Sequence, residues 1–299
     1  MISLVHTEYP GNRFNDTGPG APHCTGPAYP TCWTVTIGLA ISDDWGATWR
    51  HARPPPHHLV AAVPYGYNQS QPAYGWGDPS NIVKHPEEPF YYAAIWNRNQ
   101  VGLQAPGICM MRTADLTDPA AWRAWDGKGY TVEFASPYTM PAGEAAQHIC
   151  TVTNLPAGDT KSGCAPAGLV WSAYLKTFVV TLGCGSKFQV AFSDDLISWS
   201  TPQDLDVHQD MPANVSKMIR CAPTPRLWLT TATAAKLSAC LDHSGMNYPN
   251  FMDPTAPKAF KDRNYYTVGA EAHLFWVSIG DNPEHYGRHL WATPFKFEK

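Results

Sequence analysis

The chain has 299 residues with a formal net charge of -4, and 15% of its residues are charged. The charges form no long block of one sign and the sequence holds no run of about 18 apolar residues, so we expect neither a nucleic-acid partner nor a membrane span. Twelve Trp, 14 Tyr and 11 Phe, with 28 Pro and 23 Gly, are typical of many short strands joined by tight turns. We therefore predict an all-β fold.

Apolar runs predict the strands in chain order, beginning with residues 1–8. Three strands each lead into a Ser/Thr-x-Asp segment, and they cover residues 36–41, 107–112 and 187–192. Three pairs of neighbouring strands are also predicted, at 80–84 with 90–96, 168–172 with 177–182, and 273–278 with 288–295. No segment has the periodicity of an amphipathic helix of about 12 residues.

One short unit recurs directly after three of these strands. The clearest copy is the segment 42–49, Ser-Asp-Asp-Trp-Gly-Ala-Thr-Trp, and partial copies lie at 113–122 and 193–199. In each copy an Asp two residues after a Ser or Thr can accept hydrogen bonds from the amides that follow it. We expect the Trp that ends the unit to fold back over the turn and bury its ring.

The segment 42–49 matches the Asp-box pattern S-x-D-x-G-x-T-W at every fixed position, so the chain resembles the sialidase-like β-propellers. Residues 77–80, Gly-Asp-Pro-Ser, with the Phe-Tyr-Tyr at 90–92, are similar to a segment of five-bladed glycoside hydrolases such as the family-43 enzymes. The resemblance implies a single propeller domain over residues 1–299, built of four-stranded antiparallel sheets. Five blades are favoured, with four or six as alternatives. It also implies that the Asp-box aspartates are structural.

Cleavage of a glycosidic bond needs a carboxylic acid to protonate the leaving oxygen and a second carboxylate as base or nucleophile. We therefore expect a glycoside hydrolase that acts in the central propeller channel. The resemblance places Asp78 where family-43-like enzymes have a channel carboxylate, while His6 and Glu8 alternate along the first strand and share a face. A glutamic acid among apolar residues suits a general acid. The predicted catalytic residues are Asp78, Glu8, His6, Asp253 (in a second Asp-Pro) and Glu144.

Aromatic and basic side chains near these groups are predicted to bind the sugar, because the C–H faces of sugar rings stack on aromatic rings. The predicted substrate-binding residues are Tyr9, Trp76, Trp96, Arg98 and His148. Glu271 and His273, which precede the last apolar strand, are further candidates. No metal or cofactor is expected, since the sequence has no Cys-x-x-Cys, no His-Glu-x-x-His and no phosphate-binding loop.

Two other functions fit the same residues. A carbohydrate-binding propeller without catalysis would use the same aromatic side chains. A polysaccharide lyase would abstract a proton beside a uronic carboxylate with His6, Tyr9 and Arg98. Hydrolysis predicts two carboxylates about 5–10 Å apart, and a lyase predicts a His/Tyr/Arg cluster.

Eight cysteines give an even count, and three close pairs stand out: Cys24/Cys32, Cys150/Cys164 and Cys221/Cys240. Disulfides are the favoured interpretation, with buried thiols as the alternative. Together with Asn-x-Ser/Thr triplets at 15–17, 68–70 and 214–216, they predict a secreted or periplasmic protein. The first residues lack the features of a signal peptide. We expect a monomer with a carbohydrate partner.

Overall fold

The computed structural model describes residues 1–11, 32–156, 164–184, 187–205, 246–253, 266–279 and 288–298. The fold is all-β, as predicted. Helical structure within these ranges is limited to two short 3₁₀ turns, Pro119–Ala121 and Ala145–His148. None of the helices in the described part of the chain has the length and apolar character needed to cross a membrane. The chain divides into two compact units, residues 1–160 and 161–299.

Unit 1 contains one ten-stranded sheet in the order β1-β2-β5-β7-β8-β9-β10, with β3 and β4 on β2 and β6 on β7. The strands are β1 (Ile2–Pro10), β2 (Trp33–Ile41), β3 (Arg50–His51), β4 (Leu59–Ala61), β5 (Tyr74–Gly77), β6 (Val83–Lys84), β7 (Tyr91–Asn97), β8 (Gly107–Thr113), β9 (Arg123–Trp125) and β10 (Tyr130–Glu133). The predicted pair at 80–84 and 90–96 is confirmed as β6 and β7, although β6 keeps only two residues.

One parallel contact decides how this sheet is assembled, because β2 runs parallel to β5 while its other partners are antiparallel. Val35 of β2 pairs with Gly75 of β5. Gly75 has φ +113°, and a Cβ there would lie 2.1 Å from the Val35 carbonyl oxygen. Only glycine permits both this backbone conformation and this approach. Gly75 therefore allows β5 to join β2.

Unit 2 contains a five-stranded sheet, β14-β13-β12-β11-β16, and a three-stranded sheet, β15-β17-β18. Its strands are β11 (Cys164–Ser172), β12 (Thr177–Cys184), β13 (Lys187–Ser193), β14 (Gln203–Leu205), β15 (Met246–Met252), β16 (Thr267–Val268), β17 (Glu271–Ile279) and β18 (Arg288–Lys296). The two predicted strand pairs in this region are confirmed as β11 with β12 and β17 with β18. Phe188 of one sheet and Trp276 of the other are buried in the same apolar core.

Two disulfides have both cysteines within the described residues, and neither joins the close neighbours Cys150 and Cys164. Cys109 of β8 bonds to Cys150, and Cys164 bonds to Cys184. The second pair follows from register, since Cys164 and Cys184 are direct partners across β11 and β12. The other two close pairs in the sequence, Cys24/Cys32 and Cys221/Cys240, involve residues outside the described ranges.

The three Ser/Thr-x-Asp turns have the hydrogen bonds that the sequence predicts. Asp44 accepts the Thr48 amide at 2.8 Å and the Thr48 hydroxyl at 2.6 Å. Asp115 accepts the Thr117 amide at 2.8 Å, and Asp195 accepts the Ile197 amide at 2.8 Å. Each aspartate therefore closes its own turn, which supports a structural role.

The Trp residues of these turns differ in burial. Trp122 and Trp199 are 1% and 5% exposed, as expected. For Trp49 the expectation is wrong, because its ring is 44% exposed. Its indole N–H donates to the Gly46 carbonyl at 3.0 Å, so the ring folds over its own turn without entering the core. The adjacent Trp45 is 89% exposed.

The carboxyl group of Asp44 should have a pKa below the ordinary value for an aspartate. The Thr48 hydroxyl, then the Thr48 amide and the Ser42 hydroxyl, lower the pKa of Asp44 from its ordinary 3.8 to about 2. Any stability from this carboxylate is present above its ordinary pKa and is lost as the pH falls through about 2. We expect Thr48→Val to raise the Asp44 pKa in a carboxyl NMR titration, while Thr131→Val leaves it unchanged. An Asp44 that titrates at its ordinary value in the parent would contradict the turn geometry.

Candidate functional site

The candidate site of unit 1 forms where β1 and the end of β5 meet across β2. In β1, His6 pairs with Ile37 and Glu8 pairs with Val35 of β2. Because Val35 also pairs with Gly75 of β5, the residues after Gly75 are brought beside β1. Residues two apart on a strand point to the same side, so His6 and Glu8 share a face, as predicted.

Gly77 makes room for the imidazole of His6. A Cβ on Gly77 would lie 3.1 Å from His6 Cε1 and 3.1 Å from Val35 Cγ2. These contacts are tighter than ordinary packing of carbon atoms allows. The ring of His6 therefore lies against the backbone of β5, directly before Asp78.

Asp78 contacts His6 through both its backbone and its side chain. The residue has φ +43°, the left-handed region that Asp and Asn tolerate better than most residues. Its amide donates to His6 Nδ1 at 3.2 Å, and its Oδ1 lies 3.3 Å from the same nitrogen. Neutral His6 accepts the amide proton at Nδ1, whereas protonated His6 donates from Nδ1 to the carboxylate. The contact is therefore compatible with both the neutral and the protonated form of His6.

Glu8 approaches the opposite side of the same ring. Its Oε1 lies 3.5 Å from His6 Nε2, a buried atom that makes no hydrogen bond to any described residue. One imidazole thus separates the two carboxylates, and the distances from its nitrogens place Asp78 Oδ1 within about 9 Å of Glu8 Oε1. Both side chains reach solvent, with exposed fractions of 27% for Asp78 and 48% for Glu8.

The charges around His6 favour its protonated form. Burial lowers the pKa of His6, but the hydrogen bond and negative charge of Asp78, followed by the charge of Glu8, outweigh burial. The positive charge of Arg98 opposes them, and the net pKa is raised above the ordinary 6.5. His6 can therefore hold or move a proton between two carboxylates near neutral pH.

This balance predicts a measurable pH dependence. Because the pKa of His6 is higher in the folded than in the unfolded state, protonated His6 stabilises the fold fully below about pH 6.5. That stabilisation is lost as the pH rises through the raised folded pKa. Asp78→Asn should lower the His6 pKa in an imidazole NMR titration, because it removes the principal negative charge. A His6 pKa that the substitution leaves unchanged would argue against the Nδ1–Asp78 contact.

Of the predicted substrate-binding residues, Arg98 acts on this cluster through its charge, Trp96 pairs with Gly77 of β5, and Tyr9 follows Glu8 on the opposite face of β1. Tyr9 continues β1, and its ring meets Tyr67 edge-on with centroids 5.0 Å apart. The guanidinium of Arg98 lies 4.8 Å from the ring centroid of Trp96, a cation–π contact. Trp96 itself is only 6% exposed, so Arg98 is the group that this pair can offer to a ligand.

Trp76 belongs to the core instead. Its side chain is completely buried, and its ring contacts Phe134 edge-on. It lies on β5 two residues before Asp78, so it anchors the strand that carries Asp78. A substrate cannot stack on a ring without exposed surface.

The comparisons with known proteins do not identify a family for this chain. No protein-family model matches this chain. A search of curated proteins also finds no match. The resemblance to sialidase-like and family-43-like propellers therefore depends on the segments 42–49 and 77–92, and the chemistry of the site has to be argued from its contacts.

Glu144 and His148 lie at the two ends of the second 3₁₀ turn of unit 1. Glu144 precedes the turn, and its side chain makes no capping hydrogen bond there. His148 ends the turn, and its Nδ1 lies 2.6 Å from the Glu133 carbonyl oxygen of β10. That contact gives His148 a structural role in holding the turn to the sheet.

Asp253 lies in unit 2, directly after β15. It is 8% exposed, and its Oδ2 accepts the Gly269 amide at 3.1 Å. It lines a cavity with Glu271, His273 and Lys296. Lys296 was not predicted from the sequence, because it lies one residue beyond the predicted strand 288–295; in the structure it pairs with Glu271.

Metal binding has no support from the described residues, in which no group of three or more His, Cys, Asp and Glu side chains could hold an ion. The arrangement around His6 instead suits proton transfer. It offers two carboxylates that reach solvent, one imidazole with a raised pKa, and a nearby guanidinium.

Proposed function

We propose that this protein is a glycoside hydrolase whose carboxylate pair is Asp78 and Glu8. The observation that carries the proposal is the position of one imidazole between these two carboxylates, which are within about 9 Å of each other. Glycosidases use carboxylate pairs about 5–5.5 Å apart when they retain and about 6.5–9.5 Å apart when they invert the anomeric configuration.

The proposal gives the two carboxylates different roles. Asp78, whose Oδ1 lies 3.3 Å from His6 Nδ1, acts as the base that takes a proton from the attacking water. Glu8, whose Oε1 lies 3.5 Å from His6 Nε2, donates a proton to the glycosidic oxygen as the C–O bond breaks. His6 is the positioning residue for both. Arg98 binds the sugar beside them.

We also infer that the sheets are blades of a single propeller, with five blades favoured. The strands β11 to β14 support this, because they form a four-stranded antiparallel meander in chain order, as propeller blades do. The two disulfides favour a secreted or periplasmic location, since such bonds persist in oxidising compartments.

A polysaccharide lyase is the second candidate, and the charge of Arg98 is the observation that favours it. This charge is the smallest of the effects on the pKa of His6, and it is the only charge among them that opposes protonation of the ring. In that mechanism neutral His6 abstracts the proton beside a uronic carboxylate, Arg98 neutralises that carboxylate, and the glycosidic C–O bond breaks to leave a double bond.

A panel of neutral and uronic polysaccharides tests the two candidates. The hydrolase proposal predicts new reducing ends without the ultraviolet absorbance of an unsaturated sugar. Reducing ends together with that absorbance would identify a lyase. Binding without any cleavage would identify a carbohydrate-binding protein. Asp126→Asn provides the matched control for Asp78→Asn, because Asp126 lies in a solvent-exposed turn of the same unit.

A further inference from the structure

One of the three Asn-x-Ser/Thr triplets of the sequence lies within the described residues, at 68–70 between β4 and β5. It reads Asn-Gln-Ser, so it has no proline in the middle position and meets the sequence requirement of an N-glycosylation acceptor. An attached oligosaccharide is bulky and needs a surface position. Exposure and backbone conformation therefore decide whether such a triplet is used.

The side-chain amide of Asn68 is accessible at its nitrogen. Asn68 and Ser70 are exposed, whereas Gln69 between them is half-buried. The oxygen of the Asn68 side chain accepts the Ser70 backbone amide at 2.9 Å. Its nitrogen, Nδ2, donates no hydrogen bond to any described residue. The atom to which a glycan is attached is therefore the atom that the fold leaves unused.

Two hydrogen bonds hold the triplet in a turn. The Gln71 amide donates to the Asn68 carbonyl at 3.2 Å, and the bond from the Ser70 amide to the Asn68 side chain closes an Asx turn over the same residues. The turn brings Ser70 beside the carboxamide of Asn68. A serine hydroxyl has lone pairs that accept a proton from a neighbouring amide, so the Ser70 hydroxyl can assist Nδ2 when it reacts.

Tyr74 of β5 fixes this turn to the sheet of unit 1. Its side chain is buried, with 2% exposed. Its hydroxyl accepts the Asn68 backbone amide at 2.8 Å and donates to the Gly66 carbonyl at 2.6 Å. Both bonds engage the backbone of the turn and leave the Asn68 side chain out of the contact. A buried residue thus holds the acceptor in place while its side chain stays exposed.

The contact of Tyr67 with β1 shows on which side of the sheet the turn lies. The ring of Tyr67 meets that of Tyr9 with centroids 5.0 Å apart. Successive residues of a strand point to opposite faces, so Tyr9 lies on the face of β1 away from Glu8 and His6. A glycan on the turn therefore begins on the side opposite the candidate site and leaves that site open.

We propose that Asn68 carries an N-linked oligosaccharide. The donor is an oligosaccharide joined to a lipid diphosphate. Asn68 Nδ2 forms a C–N bond to the anomeric carbon, the C–O bond to the diphosphate breaks with its electron pair on oxygen, and Nδ2 loses one proton. The modification takes place in an oxidising secretory compartment, which the two disulfides favour. It is independent of the proposed hydrolase activity.

Intact-mass and glycopeptide analysis of the full chain, secreted from insect cells, tests the proposal. Combining Thr17→Ala with Ser216→Ala removes the other two triplets, and we expect this protein to keep a glycan that peptide-N-glycosidase releases. Adding Ser70→Ala should abolish the glycan, because the hydroxyl beside the acceptor is lost. Adding Ser70→Thr is the matched control, and it should retain the glycan because threonine supplies the same hydroxyl.

A secreted Thr17→Ala/Ser216→Ala protein with the mass of the bare polypeptide would overturn the proposal. A glycan that survives Ser70→Ala would place the attachment elsewhere and would overturn it as well. Peptide mapping of the bond between Cys109 and Cys150 shows that each secreted variant has folded. The release of reducing ends is measured separately, and Ser70→Ala should leave its rate unchanged. A protein that is glycosylated at Asn68 but cleaves no glycan would support this proposal and contradict only the hydrolase.

Discussion

Asp78→Asn is expected to lower the rate of glycan hydrolysis about 10²–10⁴-fold, the range for loss of a general acid or base. The substitution suits the site because Asn, like Asp, tolerates the left-handed backbone that residue 78 adopts. The amide that donates to His6 Nδ1 is also retained. The effect should therefore appear in kcat rather than in the folded structure, and initial rates of reducing-end release measure it.

Two comparison variants make this result specific. Glu8→Gln should cause a loss of similar size, with its pH profile losing the limb that depends on a protonated acid. Asp126→Asn should retain the parent rate, because Asp126 only closes an exposed turn. An Asp78→Asn protein that works within twofold of the parent would remove Asp78 from the mechanism.

Replacing Cys109 and Cys150 together by Ala is expected to lower the free energy of unfolding by about 4 kcal/mol. The bond joins residues 41 apart, and the chain-entropy model assigns about 4 kcal/mol to a loop of that length. Both cysteines are buried in the core of unit 1, so Ala avoids placing a hydroxyl there. Chemical denaturation followed by Trp fluorescence measures the change.

The Cys164/Cys184 double Ala variant provides the comparison. Its residues are 20 apart, and the same model gives about 3 kcal/mol, so it should destabilise the protein less. The larger loss in the Cys109/Cys150 variant is the expected order. A loss below about 1 kcal/mol for Cys109/Cys150 would contradict the structural role assigned to that bond.

Local patterns predicted the local structure well. The strands before the turns at 42–49, 113–122 and 193–199 are present as β2, β8 and β13, because alternating and continuous apolar runs determine strands directly. The aspartate hydrogen bonds of those turns are present for the same reason, since each is made between residues at most four apart.

Long-range contacts could not be predicted from such patterns. His6 and Asp78 are 72 residues apart, and they meet only because β2 pairs in parallel with β5 at Gly75. The sequence shows a glycine at position 75, but it does not show that this glycine lies against Val35. Cysteine spacing likewise does not give the disulfide pairing, since Cys109 bonds to Cys150 across 41 residues.

The sequence also does not predict which aromatic side chains are buried. Trp76 was predicted to bind substrate, yet it is completely buried. Trp49 was predicted to bury its ring, yet it is 44% exposed. The face of a strand that packs against a neighbour depends on which other strands cover it. Single-sequence patterns do not contain that information, so they do not distinguish a core residue such as Trp76 from an aromatic residue that binds a substrate.

The mass of the products released from a defined oligosaccharide tests the hydrolase proposal most directly. Hydrolysis predicts that the fragments together weigh one water more than the substrate, and that reaction in heavy-oxygen water labels the new reducing end. Both signals should disappear with Asp78→Asn and persist with Asp126→Asn. Fragments whose masses sum to that of the substrate, with one of them unsaturated, would contradict hydrolysis and place His6 and Arg98 at the centre of a lyase.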